Sequence, residues 1–102
     1  LVGVVTDFSL EGADDRYGDI AVALGARPQG SKEAIAKGGA DTVRELIAGL
    51  QIPTLTQLGV SREKLEPVVH KMADDAIAGG SPGNNPRLAT REEIIGLYYQ
   101  AL

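Results

Sequence analysis

His70 and a set of acidic residues are the side chains with which this chain could hold a metal or move a proton. His70 is the single histidine, and it stands beside Lys71 and four residues before Asp74. A metal site on one helix needs a second ligand at helical spacing, as in H-E-x-x-H, and that motif does not occur here. We therefore interpret His70 as a surface residue that forms, at best, a weak pair with Asp74.

A run of oxygen-bearing residues near the N-terminus imitates a calcium-binding loop. Its early ligand positions are matched in order by Asp7, Ser9, Glu11, Gly12 and Asp15. The last position of such a loop requires a bidentate glutamate, and this chain has Gly18 there. A helical pattern also begins inside the run, so we reject a calcium site.

Other patterns indicate structure rather than chemistry. The glycines between Gly79 and Gly83 follow a predicted helix, whereas a phosphate-binding glycine loop follows a strand. Asp74 and Asp75 are adjacent, so on a helix their side chains point about 100° apart and cannot serve one reacting centre. No Ser/His/Asp triad can be proposed from the serines of this chain. We assign no catalytic, cofactor-binding or metal residue to this chain.

The composition narrows the class of protein. The 102 residues carry a net charge of -4, and 43% of them are hydrophobic, enough for a packed core. Basic residues do not cluster, which argues against nucleic acid as a partner. No apolar run approaches the roughly 18 residues that span a membrane, and no signal peptide is visible. The absence of cysteine excludes disulfides and fits a cytoplasmic setting.

Helical periodicity covers most of the first half of the chain. Tyr17, Ile20, Ala21 and Leu24 predict one helix, which ends at Gly25. Ser31 caps a second helix, whose apolar stripe is predicted to comprise Ile35, Gly39, Val43, Leu46 and Leu50. Gly38 and Gly39 interrupt it, so either the helix kinks there or another backbone packs closely, and Pro53 ends the run. Residues 1–12 fit either a buried strand or the end of a helix that began upstream.

The second half predicts two further helices and a short one. Thr54 to Leu58 reads as a single helical turn, and a longer helix begins near Pro67. Its buried face is predicted to consist of Val69, Met72, Ala73, Ala76 and Ile77. After a loop at residues 79–89, Thr90 and Glu93 form a capping box, and the last helix buries Ile94, Leu97, Tyr98, Ala101 and Leu102. We predict an all-α fold with four main helices plus one short helical turn.

Several motifs in this pattern resemble a known family. Asp75 to Arg87, then Thr90 to Ile95 and Tyr98, resemble the end of the iron-containing (group III) alcohol dehydrogenases: a D-A helix end, a glycine-containing loop, N-P-R, T-x-E-[DE]-I and Y-x-x-A-[LW]. Asp15 to Gly25 is similar to the family's R-Y-A-x-I-A-x-A-L-G helix, and Leu50 to Val60 to its L-G-I-P-T…L-G-V connection. The resemblance covers roughly residues 13–102.

The resemblance implies a two-domain oxidoreductase. Its N-terminal α/β domain would bind NAD(P), and its C-terminal, dehydroquinate-synthase-like helical domain would hold Fe²⁺ (or Zn²⁺) through one Asp and three His. The family's last histidine ligands lie in an H-x-x-G-x-x-x-x-x-x-H-G stretch upstream of the matched region, and His70 does not fall in that motif. The resemblance therefore places no metal ligand and no phosphate-binding glycine in this chain, which would be structural. Only the loop from Gly79 to Arg87 is expected to reach a pocket wall.

Three hypotheses follow for the whole protein. The first is a C-terminal piece of an enzyme that interconverts an alcohol with an aldehyde or ketone. The second is a stand-alone, non-enzymatic helical interaction module, and the third is a subunit that packs on a separately encoded catalytic chain. The single methionine is Met72, so we expect Leu1 to follow a removed segment. We also expect an exposed apolar patch that includes Leu1 to Val5, through which the piece contacts the remainder of the parent chain or a second copy.

Overall fold

The computed structural model of the chain describes residues 2–27 and 30–102. In that part all regular elements are helical, which confirms the all-α prediction. The α-helices are α1 (Val2–Ser9), α2 (Asp14–Ala23), α3 (Lys32–Gly49), α4 (Arg62–Leu65), α5 (Val69–Ala78) and α6 (Arg91–Gln100), with 3₁₀ turns at Leu10–Gly12 and Ser81–Asn84. Across the described residues, no helix has the length and hydropathy needed to cross a membrane. The four predicted main helices are α2, α3, α5 and α6.

The chain divides into two compact units, Val2–Ile52 and Pro53–Leu102. In the first unit, α1 settles the alternative that the sequence left open, because residues 2–9 are helical rather than extended. Thr6 and Ser9 are its buried residues. Leu1, which the sequence placed in the apolar patch, lies outside the described residues, whereas Val2 and Val5 are exposed.

The core of the first unit is a close crossing of α2 and α3. Ala21, Ala36 and Ala40 are fully buried there. A Cβ atom added to Gly39 would lie 2.8 Å from Ala21 Cβ and 3.0 Å from the Tyr17 carbonyl oxygen. Close backbone approach, rather than a kink, therefore explains the glycine.

This crossing corrects part of the predicted stripe on α3. The buried positions are Ala36, Gly39 and Ala40, whereas Leu46 is 55% exposed and Leu50 is 63% exposed. Helix α3 contacts α2 through its smallest residues, because larger side chains would keep the two backbones apart. It also ends at Gly49, before Pro53, and Gln51 adopts a left-handed conformation with φ 54°.

The second unit forms the predicted turn at Thr54 to Leu58 and adds a short helix after it. Thr54 and Gln57 form a reciprocal pair in this turn, with Thr54 N donating to Gln57 Oε1 at 2.8 Å and Gln57 N to Thr54 Oγ1 at 3.1 Å. That segment is a turn with several backbone hydrogen bonds, among them one from Leu58 N to Thr54 O at 3.1 Å, which is the spacing of an α-helical turn. The short helix α4 follows it, with Ser61 as the N-cap. The Ser61 cap therefore begins a further helix three residues after Gly59.

The packed core of the second unit joins α4, α5 and α6. The buried residues of this core are Leu65, Val69, Ala73 and Ile94. The last three were predicted in the buried faces of the two helices, and the other predicted positions apart from Ile77 are half-buried: Met72, Ala76, Leu97, Tyr98, Ala101 and Leu102. Ile77, predicted in the same face, is instead exposed. On the surface of this unit, the Arg62 guanidinium stacks over the Tyr99 ring, 4.5 Å from its centroid.

Candidate functional site

The residues considered first for chemistry form an ionic cluster between α5 and α6. Asp74 receives two hydrogen bonds from Arg91, one from Nε to Oδ1 at 2.6 Å and one from Nη2 to Oδ2 at 3.2 Å. The same guanidinium places Nη1 3.3 Å from His70 Nδ1 and Nη2 3.4 Å from the His70 carbonyl oxygen. Arg91, the first residue of α6, thus bridges two positions one turn apart on α5.

The electrostatics of the cluster follow from this bidentate pair. The hydrogen bond from Arg91 lowers the pKa of the Asp74 carboxyl below its ordinary value, and the positive charge of Arg91 lowers it further. The same hydrogen bond raises the pKa of Arg91. Both groups therefore remain charged at neutral pH, and neither is suited to transferring a proton.

Sequence reasoning missed Arg91, which appeared only as one letter of the T-R-E-E motif. A signal for it does exist. A basic residue in the first turn of a helix is unfavourable to the helix dipole, so Arg91 at that position indicates an acidic partner elsewhere. His70 is exposed, as predicted, but the partner that holds Asp74 is Arg91.

The two adjacent aspartates diverge, as the helix geometry requires. Asp74 faces α6, whereas Asp75 Oδ2 accepts a hydrogen bond from Lys71 Nζ at 2.5 Å on the same helix. No shared reacting centre can lie between them. Each carboxylate pairs with a different cation, Asp74 with Arg91 of α6 and Asp75 with Lys71 of the same helix.

The loop of residues 79–89 is locked onto the start of α6. Asn85 Nδ2 donates to the Arg87 carbonyl oxygen at 2.6 Å, and Arg87 Nη2 donates to Glu93 Oε1 at 3.3 Å. The other oxygen of Glu93 accepts the Thr90 backbone N–H at 2.8 Å, while Glu93 N donates to Thr90 Oγ1 at 3.2 Å. The N-P-R and T-x-x-E motifs are therefore joined in one hydrogen-bond network that fixes the loop to the start of α6.

The residues of the calcium-like run are spread over helices rather than gathered round an ion. Asp7 lies on α1 and forms an ion pair with Arg44 of α3, which also contacts Asp41. The hydrogen bond that Arg44 donates to Asp7 raises the pKa of Arg44. Asp15 pairs with Lys32 at 3.0 Å. These carboxylates connect helices of the first unit.

The serines likewise serve the fold. Ser31 Oγ accepts the Ala34 N–H at 3.1 Å and Ser61 Oγ accepts the Lys64 N–H at 3.3 Å, so each caps a helix. Ser9 is buried at the end of α1, and Ser81 opens a 3₁₀ turn.

A donor set for iron is also not found among residues 2–27 and 30–102, where no three His, Asp or Glu side chains come together. The described residues therefore do not bring together a complete donor set of their own for a divalent metal. That this chain contains no metal ligand stays a prediction.

Comparison with known proteins shows the family of this chain. The chain is 31% identical over 103 residues to the lactaldehyde reductases of Escherichia coli strain K12 and Escherichia coli O157:H7. The alignment covers 99% of this chain and 26% of either relative, so the chain spans about a quarter of their length. No solved structure matches it. The profile of the C-terminal part of the Fe-containing alcohol dehydrogenase family matches residues 1–102. The chain therefore belongs to the Fe-containing alcohol dehydrogenase family, as its C-terminal part.

Proposed function

We propose that this chain is the structural, C-terminal helical part of an oxidoreductase that interconverts an alcohol and an aldehyde or ketone. The complete enzyme would use NAD(P) and a divalent metal, with Fe²⁺ expected and Zn²⁺ as the alternative. The observation that carries the proposal is the family match across residues 1–102. The lactaldehyde reductases suggest a small hydroxyaldehyde as the first substrate to test.

The hydrogen bonds support a structural role for this part. Three of the ion pairs connect helices or a helix cap: Asp7 with Arg44, Asp74 with Arg91, and Arg87 with Glu93. Side chains engaged in this way are positioned to hold helices together. Because the described residues do not supply a metal donor set, we assign the metal ligands and the nicotinamide site to the remainder of the protein.

The exposed apolar side chains favour the interpretation that another part of the protein packs against this chain. On α3 and just after it, Leu46, Leu50 and Ile52 are all more than half exposed. On α2, Ile20, Val22 and Leu24 are exposed to a lesser extent. Burying one such side chain fully contributes about 1.5–3 kcal/mol. We assign these surfaces to contact with the remainder of the protein, in a cytoplasmic setting that suits a chain without cysteine.

The test is turnover by the full-length protein that contains this chain. Oxidation of NADH or NADPH is followed with lactaldehyde, with Fe²⁺ present and after removal of metal by a chelator. We expect metal-dependent oxidation with one of the two nucleotides. A protein that binds neither nucleotide and reduces no aldehyde contradicts the proposal and favours the non-enzymatic interaction module.

Gel filtration and intact mass distinguish the enzyme from the third hypothesis, a subunit that packs on a separately encoded catalytic chain. A short native chain that elutes with a second, catalytic polypeptide would identify an assembly subunit. A single long chain with the activity supports the enzyme.

A further inference from the structure

The loop of residues 79–89 carries one large aliphatic side chain, Leu88, and this side chain is 72% exposed. Among residues 2–27 and 30–102, no other large apolar side chain has so large an exposed fraction. A single exposed leucine is common on protein surfaces, so exposure alone does not indicate an interface.

The backbone on both sides of Leu88 is held by side chains. Before it, Asn85 Nδ2 donates to the Arg87 carbonyl oxygen at 2.6 Å, and after it, the Thr90 N–H donates to Glu93 Oε2 at 2.8 Å. Leu88 is therefore presented to solvent by an ordered loop. Because ordering a loop on binding costs free energy, a side chain that is already fixed in place binds at a lower entropic cost.

A second exposed apolar side chain, Ile77, lies at the same end of the α5–α6 pair. Asp74 contacts Arg91, and Ile77 follows Asp74 by three residues while Leu88 precedes Arg91 by three residues. Both side chains therefore lie on the loop side of that contact. Ile77 is 46% exposed, although its periodicity predicted a buried position. We call Ile77 and Leu88 the loop-end patch.

The charges beside the loop-end patch are compensated within the chain. Arg87 pairs with Glu93 at 3.3 Å, and Arg91 pairs with Asp74 at 2.6 Å. A charged group on a partner therefore gains little here, whereas covering the patch removes apolar surface from water. The chemistry of the patch favours an apolar partner surface.

We propose that the loop-end patch docks against an apolar surface of the same polypeptide, in the part that precedes these residues. The chain spans about a quarter of the length of the lactaldehyde reductases and matches the C-terminal part of the family profile, so most of a protein of that length lies upstream. This inference rests on the proposed function only in assigning the chain to a longer polypeptide, and it does not depend on turnover.

Limited proteolysis of the full-length protein at the Arg87–Leu88 bond tests the docking. Trypsin cleaves after arginine, and cleavage of a protected bond follows the population of its open form. Full burial of a leucine contributes about 1.5–3 kcal/mol, so Leu88→Asn should speed cleavage at this bond by about 10- to 150-fold. Leu88→Met keeps an apolar side chain of similar volume and should change the rate far less.

A second pair of variants tests the other residue of the loop-end patch. Ile77→Gln should also speed cleavage at the Arg87–Leu88 bond, because it removes apolar surface from the same contact. Val68→Gln is the matched control, since Val68 is likewise 46% exposed but lies at the opposite end of α5. It should leave the cleavage rate unchanged.

Two results would overturn the proposal. One is an equal cleavage rate in the wild type and Leu88→Asn, since replacing a leucine that stays exposed has little effect. The other is a difference that disappears on dilution, which would identify a second copy of the protein as the partner. A difference that persists in the dilute, purified protein supports docking within one polypeptide.

Turnover measured on the same samples distinguishes this proposal from the proposed function. A protein that reduces no aldehyde but shows the Leu88→Asn effect supports the docking and contradicts the oxidoreductase. An active enzyme without that effect supports the oxidoreductase and contradicts the docking.

Discussion

Arg87 donates a hydrogen bond to Glu93 at 3.3 Å, and thereby connects the N-P-R loop to the capping box of α6. Glu93 uses its two oxygens for two purposes, since Oε2 accepts the Thr90 backbone N–H while Oε1 faces Arg87. Arg87 and Thr90 therefore stand at positions from which a single carboxylate, that of Glu93, can contact both of them. The motifs at Asn85 to Arg87 and Thr90 to Glu93, which resemble the end of the family, thus hold the loop in place.

Substitution of Glu93 separates its two contacts. Glu93→Gln retains a side chain that completes a capping box and removes the ion pair with Arg87, so it should cost about 0.2–1 kcal/mol. Glu93→Ala removes both, and should cost a further amount of about 0.5–2 kcal/mol. Urea denaturation monitored by circular dichroism measures both values. Equal losses in the two variants would show that the capping contact does not contribute.

The two adjacent glycines of α3 should respond to alanine with opposite signs. At Gly39 a new Cβ atom meets Ala21 Cβ at 2.8 Å and a backbone oxygen at 3.0 Å, so Gly39→Ala should destabilise by about 1–3 kcal/mol. At Gly38 the new Cβ would have no atom within 4 Å other than those of its chain neighbours and the nearby backbone of its own helix, so Gly38→Ala should stabilise by about 0.5–1 kcal/mol. Thermal denaturation of both variants tests the pair. A stabilising Gly39→Ala would rule out the close α2–α3 crossing.

Local signals in the sequence predicted helix boundaries well. The Thr90 capping box, the Ser31 cap and the left-handed Gly25 each depend on residues a few positions apart, and all three are confirmed. Contacts between helices were harder to predict. The glycine pair of α3 allowed two interpretations, and only the position of Ala21 on another helix decides between them.

Hydrophobic periodicity failed where the core is built from small residues. It assumes that the largest apolar side chains face the core, and so it placed Leu46 and Leu50 inside. The structure buries Ala36 and Ala40 instead. Arg91 was missed for a related reason, since its partner Asp74 lies 17 residues away across a loop.

Asp74 makes the stability of the chain depend on pH at the acidic end. Arg91 holds the pKa of the folded Asp74 below its ordinary value of 3.8, so the unfolded chain takes up this proton at a higher pH than the folded chain. The stabilisation is therefore fully present above the ordinary value and is lost as the pH falls through the folded pKa. Asp74→Asn should be less stable than the wild type at about pH 5, and this difference should disappear in stronger acid.

Urea titrations between about pH 2 and pH 5 measure this difference. Asp75→Asn is the matched control, because its carboxylate contacts Lys71 within the same helix. If both variants differ from the wild type by the same amount at every pH, the Arg91 pair does not stabilise the fold.

The exposed leucines of α3 should cause the isolated chain to self-associate. Leu46 and Leu50 lie one turn apart and are both more than half exposed, so they present a continuous apolar strip. Sedimentation velocity should show association that increases with concentration, and Leu46→Gln with Leu50→Gln should remove it. Glu45→Gln, an exposed neighbour, should leave it unchanged. A monomeric wild-type chain at every concentration would argue against a covering partner for this face.

The iron content of the full-length protein with His70→Gln tests most directly the claim that this chain supplies structure rather than chemistry. His70 is the single histidine of these 102 residues, and it faces Arg91 rather than a cluster of ligands. We predict that the variant binds as much iron per chain as the wild type and retains its NAD(P)-linked turnover. Loss of iron together with loss of turnover, in a variant that remains folded, would contradict the claim and place a metal ligand in this part of the protein.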